Sequence, residues 1–147
     1  MQPTVELNWL AIGAAVVASF VIGSVWYGVV FRDMWQRAMG FTGDMRPSGA
    51  ETLRGSIIGI VVSILTAYVL ARWIGAWQPA AWGGTGEADS DFNIGILVSL
   101  MAWAGFVVPV LATGVAYERK SWALFVLNAL FQVISIVVMG LIIAFWK

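Results

Sequence analysis

Asn128, Gln132 and Ser135 are the residues of this sequence best placed to do something other than pack. They stand at i, i+4 and i+7, so on an α-helix they share one face. The stretch that carries them, 122–146, is otherwise apolar, and Gln132 and Ser135 fall near its middle. A carboxamide there must find a partner, because burying it unbonded costs several kcal/mol. Neighbouring helices would make these residues interhelical glue, at about 0.6–2 kcal/mol per bond. A solute or ion moving along a lined path would make them a binding face instead. Trp103 lies near the centre of another apolar stretch, 92–117, at a similar depth, and its indole N–H needs an acceptor. Core packing is the simpler role for it. Pro109 cannot donate a backbone hydrogen bond and leaves the carbonyl of Gly105 without its usual helical partner. A kink is expected there, and Trp103, Gly105, Pro109 and Gln132 together would frame a small mid-span cavity.

The residue types that are missing exclude most chemistry. The 147 residues include no His and no Cys. The commonest general base and zinc ligand are therefore absent, as are disulfides and thiolates. No Asp, Glu, Lys or Arg lies in the middle of a long apolar stretch, which argues against a proton relay. A lipid-directed enzyme would lack both nucleophile and base. We therefore expect no catalytic residue, no metal and no cofactor. Asp89, Ser90, Asp91 and Asn93 open like a calcium loop, but Ile94 stands where Gly is required and Leu100 where a bidentate Glu is required. Capping of a helix by Asp89, Ser90 or Asp91 is the better reading. Eight basic and eight acidic residues cancel, so no field points to nucleic acid.

The elements that must position these residues follow from hydropathy. The sequence is 61% hydrophobic and only 11% charged, too little polarity for a soluble domain of this size. Four uncharged stretches, 7–31, 55–71, 92–117 and 122–146, compare with the roughly 20 apolar residues that a bilayer core about 30 Å thick requires. Hydrocarbon offers backbone groups no water, so such stretches must be helical. The second is the shortest, with Arg72 placed to snorkel to the interface. The first has no Lys or Arg before it and is too long for a signal-peptide core, so it is expected to stay in the mature protein. The predicted fold is all-α: a polytopic membrane protein with one domain over 1–147 and four transmembrane helices in a bundle.

Phe31, Met34, Trp35, Ala38 and Met39 recur at helical spacing among polar neighbours, which predicts a short interfacial helix or an extension of the first span. Gly40 and Gly43 end it. Ser48 and Glu51 have capping-box spacing, placing the start of the second helix near Gly49. The segment 75–90, rich in Gly and Ala and containing Pro79, reads as irregular, with Trp77 and Trp82 at the lipid surface.

Small residues recur every four positions at Ala11, Ala15, Ser19 and Gly23, and again at Gly55, Gly59, Ser63, Ala67 and Ala71. Such rows let helices approach closely, within one chain or between copies. Each step of four drifts about 40° around the helix, so only part of a row can face one partner. The second row is longer and carries more weight; Ala15, Ser19, Gly23, Gly55, Gly59 and Ser63 are the candidate packing positions. Phe20, Val21, Gly28, Val29, Phe31 and Trp35 also resemble Phe106, Val107, Gly114, Val115, Tyr117 and Trp122. A duplicated hairpin would explain that, although chance similarity between apolar helices is the stronger account.

Loop charge predicts orientation. Arg32, Arg37, Arg46 and Arg54 follow the first span, and Arg119 and Lys120 follow the third; the opposite side holds Arg72 and Lys147. The positive-inside rule then puts both termini outside, together with Glu87, Asp89 and Asp91. With no motif for another compartment, the expected location is the plasma membrane of a prokaryote.

Asn8 and Trp9, then Gly23, Ser24, Val25, Trp26 and Tyr27, then Phe31, Trp35 and Gly40 resemble the opening of a prokaryotic membrane family, domain-of-unknown-function family 1761. Trp103, Ala104, Gly105, Phe106, Trp122, Asn128, Met139 and Gly140 resemble its later helices. The resemblance covers essentially the whole chain. Gly28 and Val29 depart from it, standing where a Ser-Pro-like element is expected. It implies a four-helix membrane domain and supplies no activity.

Two functions fit these residues. The favoured one is an oligomeric subunit for permeation or transport of a small solute or ion. The alternative is a non-catalytic structural module that binds a partner or lipid. Expected partners are membrane lipids, further copies of the chain and a small solute or ion. The two separate on whether Asn128, Gln132 and Ser135 face a water-filled space or dry helix contacts.

Overall fold

The computed structural model of the protein describes residues 3–41, 48–85 and 90–146. Gly43, Arg46, Glu87, Asp89 and Lys147, which entered the readings of loops and orientation above, lie outside the described residues. Among the described residues all regular structure is helical: α1 (Trp9–Val25), α2 (Arg32–Ala38), α3 (Gly49–Ala76), α4 (Asp91–Ala102), α5 (Val108–Glu118) and α6 (Trp122–Phe145). A π turn, Trp26–Val30, continues α1, and another, Trp103–Val107, joins α4 to α5. Four helical runs are long and apolar enough to cross a membrane: Trp9–Val30, Gly49–Ala76, Asp91–Glu118 and Trp122–Phe145.

Four helices, α1, α3, α4 and α6, start where a side chain satisfies free backbone donors. Asn8 Oδ1 accepts from the N–H groups of Leu10 and Ala11 at 3.0 and 3.1 Å. Its amide nitrogen donates to the Trp146 carbonyl at 3.1 Å, tying the start of α1 to the end of α6. Ser48 and Glu51 form the expected capping box, with Glu51 accepting from Ser48 N–H at 2.7 Å. Ser90 caps α4 and Ser121 caps α6. The helix α2 occupies the place predicted for a short helix after the first span, and Gly40 ends it at φ +74°. Helix α3 runs beyond 55–71 at both ends. After it, Pro79–Trp82 forms a 3₁₀ turn in which the Trp82 indole donates to the Ala76 carbonyl at 2.8 Å, so 75–85, the part of that segment next to α3, is more regular than its composition implied.

Pro109 produces a wider turn rather than a plain break. Val108 N–H reaches back to the Trp103 carbonyl, and Pro109 falls in the first turn of α5, where a missing donor does no harm. The π turns do not support an internal repeat. Matching Phe20 to Phe106 is an offset of 86, which would put the counterpart of Trp26–Val30 at 112–116, inside regular α5.

Helix α6 packs against α1, α3, α4 and α5. The apolar core, which includes Ile12, Ala15, Ala67, Leu70, Val98 and Met139, gathers toward the end of the bundle that holds Asn8 and Trp146. At that end α4 and α6 cross very closely. A Cβ at Gly95 would stand 3.1 Å from the Ala144 Cβ and 3.2 Å from the Gly140 carbonyl, and one at Gly140 would collide with the Ser99 hydroxyl. Gly95 with Ser99, and Gly140 with Ala144, thus form small-residue pairs at spacing four. In α1, Ala11, Ala15 and Ser19 are buried, and Gly23 lies against the ring of Phe131.

The weight given to the α3 row is corrected. Within the chain, Gly55 and Gly59 make no close helix contact: a Cβ at either would meet nothing within 4 Å. Only the lower part of the row is buried, at Ala67 and Ala71. From residue 51 to residue 62 almost every α3 position is exposed, with Thr52, Gly55, Ser56, Gly59 and Val62 along an open groove and Leu53, Ile57, Ile58 and Val61 on the faces away from it.

Candidate functional site

Between α1, α3 and α6, toward the α2 end of the bundle, lies a groove of about 610 Å³. Volumes in this range suit small-molecule sites. Helix α6 contributes Asn128, Gln132 and Ser135, the three residues singled out by their spacing. Helix α1 and its π turn contribute Ser19, Ser24 and Tyr27. Helix α3 contributes Thr52, Ser56, Ser63 and Thr66 from a single face, with Gly55 and Gly59 leaving space between them. None of the described lining residues carries a formal charge.

The deep end is closed by hydroxyls. Ser19 Oγ lies 2.8 Å from Ser135 Oγ and 3.3 Å from Ser63 Oγ, and Ser135 also reaches the Met139 sulfur at 3.8 Å. Toward α2, Tyr27 donates its hydroxyl proton to Asn128 Oδ1 at 2.8 Å. Its ring packs edge-on against Phe131 and Trp35, with centroids 5.0 and 6.1 Å away. Tyr27 belongs to the π turn Trp26–Val30, and π turns of this kind concentrate at functional sites. Between these two ends, the Gln132 amide makes no hydrogen bond to any described residue, although it sits about midway along α6.

Trp103 does not join this groove. Its indole donates to the Ala129 carbonyl at 2.9 Å, a helix-to-helix bond on the side of α6 that meets the Trp103–Val107 turn. Gly105 borders a separate apolar hollow with Trp73, Trp77 and Phe106. The cavity expected between Trp103, Gly105, Pro109 and Gln132 is therefore not formed. The hydroxyl face of α3 was missed because Gly55, Gly59 and Ser63 read as a packing row. The signal was present, since Thr52, Ser56, Ser63 and Thr66 step by four, seven and three and so share a face.

A second cavity of about 530 Å³ lies between the same three helices at the Asn8 end, lined by Asn8, Ala11, Ala71, Gly75, Gln78 and Trp146 among others. The segment before α1 runs across it: Thr4 N–H donates to the Ala81 carbonyl at 2.9 Å, and Val5 presses on Gly75. Gln78 Nε2 is buried with no partner among the described residues. Between the two cavities stand Ile12, Ala15, Ala67, Leu70 and Met139, all buried. Thr66 borders one cavity and Ala71 the other, as do Met139 and Ile143 on α6. At 1.5 Å rise per residue, the apolar septum is about 6–8 Å along α3 and α6 and about 12 Å along α1, from Ala11 to Ser19.

Taken as a class, this is an all-helical bundle with four helices long and apolar enough to cross a membrane, a cavity toward each end and buried apolar residues between them. The chain belongs to the family described as "Protein of unknown function (DUF1761)", whose model matches residues 10–144. No curated protein and no solved structure matches it.

Proposed function

We propose that this protein is a non-catalytic integral membrane protein that passes a small polar solute between α1, α3 and α6. The observation that carries the reading is the Gln132 carboxamide, unpaired in mid-helix and facing a hydroxyl-lined groove. An amide left without a partner in hydrocarbon is costly, so water or a solute must satisfy it. The cavity at the Asn8 end gives the path its other vestibule, and the septum gives it a barrier to leakage. By the charge of its loops, the groove opens to the cytoplasm of a prokaryote and both termini lie outside. Association of several copies is part of this reading, and native mass spectrometry of the purified protein measures it.

One observation favours a purely structural module. On the α4 side the polar groups act as glue: Trp103 bonds the Ala129 carbonyl, and Ser99 bonds the Ile136 carbonyl at 3.1 Å. On the groove side Ser19 with Ser63 and Ser135, and Tyr27 with Asn128, are bonded between helices in the same way, and the departure from that pattern is Gln132, which bonds no described residue.

Flux into proteoliposomes separates the two. Wild-type protein is expected to speed entry of labelled urea or acetamide over empty vesicles, and Gln132→Leu to abolish that gain with folding intact. No flux of any small polar solute would contradict the transport reading and leave the structural one.

A further inference from the structure

Most hydroxyls along the groove have already spent their protons. Ser24 donates to the Phe20 carbonyl at 2.8 Å, Thr52 to Ser48 at 3.1 Å, Ser56 to Thr52 at 2.9 Å and Thr66 to Val62 at 3.0 Å. A hydroxyl has one donor and two acceptor lone pairs. Once its proton is held by the backbone one turn earlier, it shows a visitor only lone pairs. The α3 wall is therefore a row of acceptors, to which Ser24 adds one from α1. The α6 wall is different. Asn128 Oδ1 is taken by the Tyr27 hydroxyl, so the Asn128 side chain offers the groove its N–H₂ group, and Gln132 adds a free carboxamide.

Charge narrows the class further. No described lining residue is ionised, so an ion entering here would shed hydration without a compensating charge. The ligand that matches is uncharged, with several N–H donors for the hydroxyl rows and a carbonyl oxygen for the Asn128 or Gln132 amide. We infer that the groove selects neutral, N–H-rich solutes of the urea and primary carboxamide class. This rests on the transport reading for its purpose, but the selectivity is a property of the groove alone.

Acetamide, acetone and acetate test this directly, because they share a shape and differ in N–H donors and charge. Saturation-transfer NMR on the purified protein in detergent measures the affinity of each. Acetamide is expected to bind at least ten-fold more tightly than acetone or acetate. Combining Ser56→Ala with Thr66→Val removes two acceptors and should shrink that preference, whereas Thr66→Ser, which keeps its oxygen, should retain it. Should the double variant fail to fold, Thr66→Val alone serves, and the wild-type ranking needs no variant. Equal binding of acetone, preference for acetate, or a preference untouched by loss of the hydroxyls would overturn the inference. Selective acetamide binding without flux would instead overturn the transport reading, and flux without this ranking would overturn the selectivity alone.

Discussion

The hydroxyl of Ser99 occupies the place where any side chain at Gly140 would have to stand. Ser99 is fixed there by its bond to the Ile136 carbonyl, and Gly95 closes the crossing from the other side. Gly140→Ala should therefore cost about 1–3 kcal/mol by overpacking. Gly59→Leu should stay within about 0.5 kcal/mol of wild type, since it adds atoms to open space. Thermal unfolding in detergent ranks the two, and the reverse order would contradict the packing described here.

Much of this fold was legible because hydrocarbon leaves the backbone few options. The spans, the capping box at Ser48 and the α2 helix all follow from hydropathy and local hydrogen bonding. The shared face of Asn128, Gln132 and Ser135 was legible for the same reason, since it depends only on helical periodicity. The partner of Trp103 was not. A depth match with Gln132 says nothing about which side of α6 faces which neighbour, and a backbone carbonyl, that of Ala129, took the indole instead. The openness of Gly55 and Gly59 was hidden for a related reason. A small residue permits close approach without requiring it, and only the placement of α3 decides.

Trp103 separates packing from permeation. Trp103→Phe removes the bond to Ala129 and should cost about 0.6–2 kcal/mol. Solute flux per folded molecule should not change, because Trp103 does not line the groove. A flux loss as large as that of Gln132→Leu would place the path on the wrong side of α6.

Tyr27 and Asn128 should behave as one unit. Tyr27→Phe keeps the ring contacts with Phe131 and Trp35 but leaves Asn128 Oδ1 without its donor. A double-mutant cycle of Tyr27→Phe with Asn128→Leu should give a coupling of about 0.5–1.5 kcal/mol in unfolding free energy. Strict additivity would mean that the bond contributes nothing.

The proposed orientation rests on the charge of the loops. A reporter fused after Lys147 should signal outside the cytoplasm, and a probe near Arg37 should be reached only from inside. The opposite pattern would invert the proposed direction of the groove while leaving its chemistry unchanged.

The absence of native cysteine makes one measurement decisive for the groove itself. Single cysteines at Gly59 and Gln132 would face the groove, whereas one at Leu65, which is exposed on α3 but outside the groove lining, would face lipid. Methanethiosulfonate reagents report water, because the nucleophile that attacks their sulfur and expels methanesulfinate is the thiolate, which forms only where water solvates it. A membrane-impermeant reagent added on the α2 side should modify Gly59→Cys and Gln132→Cys rapidly and leave Leu65→Cys untouched, with acetamide slowing the first two. If Gly59→Cys and Gln132→Cys were as inert as Leu65→Cys, the groove would be dry, and the account of a polar path between α1, α3 and α6 would be wrong.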